Sequence, residues 1–401
     1  MRNVLLSLAG GAAMGLLGAC QTLADGGNPV PGCPSIAQWV DPATGELLQH
    51  DRVIADMAGR RIVLLGESHD NPEHHRWQLS TMAALYGRNP DVVLAFEAFP
   101  RRVQPVLDRW IAGELSSEAL LEETGWWDIW GFDPDLYLPL FQFARLHRIP
   151  MLAINVDRSL VRKVGEVGWA AITVEERQGV GDPAAPQPAY LEILLDQYLQ
   201  HPSVRGRLAA PADRAEVMAS AEFRRFVDAQ LTWDRAMAEA LAEAARRPEE
   251  PLVVGVIGSG HLRHGYGVPY QLADLGIADV AVLLPYAPSA DCAGLVSGLA
   301  DAVYIVPASA DAAREPPRLG VIVEIAEETV RVRQVAANSV AARAGLLAGD
   351  VIREAAGRRV KSTSELVQII RRTAPGTWLP LVVERDGREI EIVARFPAAV
   401  E

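Results

Sequence analysis

Four short apolar runs in this chain end in the same way, and that pattern restricts the fold more than any other feature. Arg61 to Leu65 runs into Gly66-Glu67-Ser68-His69, and Val92 to Phe96 into Glu97. Met151 to Ile154 runs into Asn155 and Asp157, and Val253 to Ile257 into Gly258-Ser259-Gly260-His261. A fifth run, Val280 to Leu284, follows, and amphipathic stretches such as His74 to Tyr86 and Leu138 to His147 lie between them. Apolar runs separated by helices predict an α/β fold, a mostly parallel sheet flanked by helices. Ligands of such sheets sit at the carboxyl ends of the strands. Glu67, His69, Glu97, Asn155 and His261 are therefore expected on one rim, where five of the chain's eight histidines lie in two clusters.

A charged group at a buried strand end is costly unless paired or bound. Glu67, His69, Glu97 and His261 form the candidate catalytic set. Two carboxylates and two neutral imidazoles are able to hold a divalent transition metal with positions left for water. They serve equally as a metal-free acid–base set in which Glu orients His. Asn71-Pro72-Glu73 reads as a helix start, with Asn as cap, Pro in the first turn and an acid against the dipole. His74 and His75 follow on that helix, as surface or packing residues before ligands. Trp126-Trp127-Asp128-Ile129-Trp130-Gly131-Phe132 and Tyr137 are dense in aromatics. They are suited to core packing or to walling a flat ligand such as a porphyrin, whose ferric iron an ionised tyrosine is able to ligate.

The 401 residues predict two folded units and a leader. Most of the net charge of −13 lies in 20–317, with 24 basic and 40 acidic residues. So acidic a body excludes a nucleic-acid partner, which would need a basic face. Met1-Arg2-Asn3 and the apolar stretch Val4 to Leu17 have the form of an export signal. Leu17-Gly18-Ala19-Cys20 resembles the bacterial lipobox, which implies cleavage before Cys20 and acylation there. Several chains make a stable anchor, and Gln21 favours outer-membrane sorting, facing the periplasm. In that oxidising compartment Cys33 and Cys292, which bracket the first domain, are candidates for a disulfide. The expected order is a signal peptide over 1–19, a tether over 20–33, an α/β domain over 34–286, a linker over 287–317 and a small β-rich unit over 318–398.

On Gly66 to Asn71, His74-His75, Phe96-Glu97, Trp127 to Gly131, Ala153 to Asn155 and Gly258 to His261, the region 34–286 resembles the ChaN-like haem-binding uptake family. That family is part of the Tiki/TraB/erythromycin-esterase superfamily. The resemblance implies a lipid-anchored bacterial protein of haem or iron uptake, haem held through tyrosine, and dimers that enclose it. Tyr137 and then Tyr86 are the ligand candidates, with His75 and Asn155 as further haem contacts. Glu67, His69, Glu97 and His261 also match the superfamily's set that serves hydrolysis with or without a metal, so a hydrolase is the alternative.

The carboxyl-terminal unit resembles a PDZ domain of the protease-associated type. Arg318-Leu319-Gly320-Val321, Val335 to Leu346, Gly349 to Ile352 and the turn Arg385-Asp386-Gly387 carry the resemblance. It implies that Leu319, Gly320 and Val321 hold a peptide carboxylate while the peptide adds a strand. Leu366 and Ile370, at i, i+4 on a helix over 362–373, would line the side-chain pocket. A third reading is an envelope scaffold in which only this module matters.

Overall fold

The computed structural model describes residues 33–201, 204, 213–288, 292–309, 317–326 and 329–398. The expected signal peptide, Cys20 and nearly all of the tether lie outside them.

The first sheet has eight strands: β1 (Trp39–Val40), β2 (Leu47–Leu48), β3 (Ile62–Glu67), β4 (Val92–Pro100), β5 (Met151–Asn155), β6 (Leu252–Gly258), β7 (Val280–Tyr286) and β8 (Ala302–Ile305). Their order is β2-β1-β8-β7-β3-β6-β4-β5. From β8 to β5 every pairing is parallel, and β1 joins β8 antiparallel. The five predicted strands are all present and adjacent.

Both faces of the sheet are covered. Val63 and Leu65 point into one core with Trp77, Leu85 and Phe141, while Ile62 and Leu64 point into the other with Met237, Ala238 and Leu241. The first core is roofed by α1 (His50–Ala58), α2 (Pro72–Arg88), α3 (Gln104–Ile111), α4 (Ser117–Thr124), α5 (Trp126–Ile129) and α6 (Pro134–His147). Asn71 caps α2 by accepting from Glu73 N–H at 2.9 Å, with Pro72 in the first turn. After β5 come α7 (Arg158–Val167), α8 (Pro188–Gln200), α9 (Arg214–Ala219) and α10 (Ala221–Ala245), and α11 (Val268–Asp274) follows β6. The alanine-rich face of α10 lets it lie close on the second core. Along the edge strand β5, the Gln104 amide donates to Met151 C=O and accepts from Ala153 N–H, both at 2.8 Å, so those ladder groups are satisfied.

The stretch 287–317, expected as a linker, contributes more than a connection. Its Ala302–Ile305 segment forms β8 beside β7, and Cys292 is bridged to Cys33 with Cα atoms 5.7 Å apart. The carboxyl-terminal unit comprises β9 (Val321–Ala326), β10 (Thr329–Val335), α12 (Val340–Ala344), β11 (Val351–Ala355), β12 (Arg358–Arg359), α13 (Thr363–Arg372), β13 (Trp378–Arg385) and β14 (Arg388–Arg395). The sheet order is β14-β13-β11-β10-β9, with β12 paired to β11. Asp386 and Gly387 both have positive φ, 51° and 72°, as a tight hairpin requires. Ser362 caps α13, and β9 is an edge strand beside it. Among the described residues no helix is long and apolar enough to cross a membrane.

Candidate functional site

The carboxyl ends of β6, β4 and β5 open on a cleft of about 720 Å³, whose lining includes His69, Glu97, Asn155 and His261. Trp130, Phe132, Phe226 and Trp233 supply its aromatic surface, and Arg102, Arg158 and Arg162 its cationic one. Gly258 makes the convergence possible. A Cβ there would stand 2.8 Å from His69 Cε1 and 3.3 Å from Glu97 Oε2.

Each imidazole is held from behind by a buried acid. His69 Nδ1 donates to Glu67 Oε1 at 2.8 Å. Tyr137 OH donates to the same oxygen at 2.6 Å, and Gln78 Nε2 to Oε2 at 3.1 Å. Burial works to raise the Glu67 carboxyl, but His69, His75 and Tyr137 together hold it below the ordinary range. His261 Nδ1 meets Asp234 Oδ1 at 2.6 Å, and Tyr190 OH donates to Asp234 Oδ2 at 2.9 Å. Asp234 is fully buried on α10. Burial alone would lower His261, yet the charge and hydrogen bond of Asp234, with Glu97, raise it to about 9. Burial also opposes a charge on His69, and Glu67 and Glu97 prevail and raise it. Both Nδ1 atoms are engaged by acids, which leaves each ring's Nε2 edge for the cleft.

Glu97 Oε2 accepts from Gly258 N–H at 2.6 Å, and its Oε1 is 3.7 Å from His261 Nε2. Asn155 donates from Nδ2 to Glu97 C=O and accepts at Oδ1 from Val156 N–H, so both ends of its amide are committed. His69 packs edge-on to Trp130, ring centroids 4.6 Å apart, and lies 5.1 Å from Phe132.

The structure separates residues that sequence grouped together. Glu67 does not line the cleft; it stands behind His69. Among the described residues no group of three His, Cys, Asp or Glu is disposed to hold a metal ion, so Glu67, His69, Glu97 and His261 are not a preformed metal site. The acids are spent on hydrogen bonds to Tyr137, Gln78, the imidazoles and Gly258 N–H.

Neither tyrosine suggested for haem lines the cleft. Tyr137 is buried with its OH committed to Glu67, and burial with the adjacent Glu67 charge pushes its phenol well above the usual value. Tyr86 packs with Phe143 and His147, apart from the cleft. His75 is buried against Tyr137 with Nε2 on His69 C=O at 3.1 Å, and it too is absent from the lining. His74 accepts from Ser68 N–H, and burial beside His75 lowers it to about 4, a neutral structural residue.

Sequence reasoning missed Asp234, Tyr190 and the orienting part of Gln78. Asp234 left a signal: it falls between Leu231, Ala238 and Leu241 on the apolar stripe of an amphipathic helix, where an acid needs a partner. In the carboxyl-terminal unit Leu319, Leu366 and Ile370 are buried, and Gly320 has φ +84°. A Cβ at Gly320 would lie 2.3 Å from Ser339 Cβ, so the loop beside β9 admits only glycine there.

A family model described as haem-binding uptake, Tiki superfamily, ChaN matches residues 53–272, and a PDZ domain model matches 317–394. A solved structure of cofacial haem binding to ChaN of Campylobacter jejuni is 18% identical, with 68% of this chain and 97% of that chain covered and a TM-score of 0.49. The HtrA-type protease AlgW with a decapeptide is 26% identical over 21% of this chain and 30% of its own, with a TM-score of 0.20. The serine endoprotease from Yersinia pestis is 24% identical over 21% and 30%, with a TM-score of 0.19. The chain thus spans under a third of either protease. No curated protein matches it.

Proposed function

The chain belongs to the ChaN haem-binding uptake family of the Tiki superfamily and carries a PDZ module, and on that premise we propose that it binds haem in the cleft through imidazole. One observation carries the reading: His69 and His261 both line a cleft walled by Trp130, Phe132, Phe226 and Trp233. Its volume lies in the range of small-molecule and cofactor sites. A porphyrin face suits those aromatic walls, and its propionates suit Arg158 and Arg162. Iron bound there would supply ferric–ferrous chemistry. The chain's own part is to present an Nε2 whose ring is fixed by a carboxylate; because His69 and His261 are both raised toward the imidazolium, ligation there would have to release the Nε2 proton.

Titrating the full chain with hemin tests this. A Soret band saturating at micromolar hemin, weakened about tenfold in Arg158→Ala/Arg162→Ala, is expected. An unshifted hemin spectrum overturns the reading. A second reading, hydrolysis, is favoured by the Glu67–His69 and Asp234–His261 pairs, which suit acid–base work. It requires ester or amide turnover that His69→Ala abolishes.

The proposal extends to location. Leu17-Gly18-Ala19-Cys20 supports an acylated Cys20 on a periplasm-facing outer-membrane protein, and the Cys33–Cys292 bridge suits an oxidising compartment. Mass analysis of the amino-terminal peptide in wild type and Cys20→Ala decides it. The PDZ groove would take a protein's carboxyl terminus.

A further inference from the structure

The PDZ unit is docked on the part of the first domain that carries the cleft's aromatic wall. One stripe of α13 makes the contact, through side chains spaced by one helical turn. Gln368 Nε2 donates to Gly131 C=O at 3.2 Å, and Arg372 pairs with Asp135 and lies 3.6 Å from Asp133. Just before the helix, Lys361 Nζ reaches Glu122 at 2.8 Å. Ser364 is close enough that a Cβ on Gly131 would sit 3.6 Å from its Oγ. Gly131 has φ +79° and lies between Trp130 and Phe132, the two rings packed on His69.

The opposite side of α13 faces the peptide groove. Leu366 and Ile370 are 1% and 8% exposed, packed in one core with Val321 and Val323 of β9. Any outward movement of α13 as a peptide side chain enters beside β9 would press on the segment around residue 131, to which Gln368 is already bonded.

We propose that this seam is an autoinhibitory clamp: the first domain, through Gly131, Asp133 and Asp135, holds α13 against β9, so a peptide carboxyl terminus enters only as the seam opens. Opening it releases the Trp130–Phe132 wall over His69. The seam suits such an exchange because its ion pairs are largely exposed and contribute little each, and the clamp requires α13 to take a second position, farther from β9, when a peptide is bound. By linkage, whatever loosens the wall favours the peptide, and the peptide loosens the wall by the same factor. The inference does not depend on what the cleft binds.

Fluorescein-labelled decapeptides ending in Val, Leu, Phe or Ala with a free carboxylate, and their amidated controls, test it on the full chain by anisotropy. Gln368→Ala/Arg372→Ala is expected to bind the best free-carboxylate peptide on the order of fivefold more tightly than wild type. Asp135→Ala, on the other side of the seam, gives the same direction of change. Peptide addition raises hydrogen exchange over residues 126–135 in wild type, and in the double variant that exchange is already raised. Equal peptide affinity in wild type and both variants overturns the clamp, as does binding to none of them. Unchanged exchange over 126–135 overturns it as well.

Discussion

Replacing Asp234 by Ala removes the acid behind His261 and makes stability respond to pH in a defined way. The His261 imidazolium is favoured in the folded protein because Asp234 Oδ1 is 2.6 Å away in a fully buried position. A folded value of about 9 against an ordinary 6.5 corresponds to about 3 kcal/mol of preference for the charged form. Tyr190 OH also loses its acceptor, a buried loss of about 1–3 kcal/mol. The two overlap, so Asp234→Ala should cost about 3–5 kcal/mol at pH 6, the range for breaking a buried pair.

The raised folded value fixes the sign. The ion-pair contribution is fully present below pH 6.5 and disappears as pH rises through about 9. Urea unfolding of wild type and variant at pH 6 and pH 9.5 reads it, and the difference cancels other titrating groups. The wild-type advantage should shrink to the hydrogen-bond part, about 1–3 kcal/mol, at pH 9.5. An advantage equal at both pH values, or growing with pH, would refute the assignment of His261 as the charged partner.

Further outcomes follow from the same geometry. Tyr137→Phe loses the 2.6 Å bond to Glu67 and should cost about 1–2 kcal/mol in urea while leaving hemin affinity within twofold. Gly258→Ala forces a methyl onto His69 and should cost about 1–3 kcal/mol and sharply weaken hemin binding; unchanged binding would contradict the packing at that strand end. Cys33→Ser/Cys292→Ser opens a link spanning 259 residues and should lower first-domain stability by about 2–4 kcal/mol, while alkylation of the unreduced wild type should label neither cysteine.

The parallel sheet was legible because β3, β4, β5, β6 and β7 are buried on both faces and so appear as unbroken apolar runs. The rim was legible for the same reason, since polarity changes abruptly at each strand end. β1, β2 and β8 have two to four residues each and carry no period to detect. The second line of the site was hidden by distance. Asp234 lies 27 residues from His261, and Tyr137 lies 70 from Glu67. An aromatic phenol near a rim looks like a ligand until its hydrogen bond is seen. The α13 seam left no sequence signal, because Gln and Arg on one helix face, with a Lys just before it, are what any exposed surface shows.

Hemin titration of the full chain, read at the Soret band in wild type, His69→Ala, His261→Ala, Tyr137→Phe and Tyr86→Phe, tests the central claim most directly. Imidazole ligation in the cleft requires that at least one histidine variant lose tenfold or more in affinity with a shifted band, and that both tyrosine variants bind like wild type. Loss of the band in Tyr137→Phe or Tyr86→Phe with both histidine variants intact would contradict it.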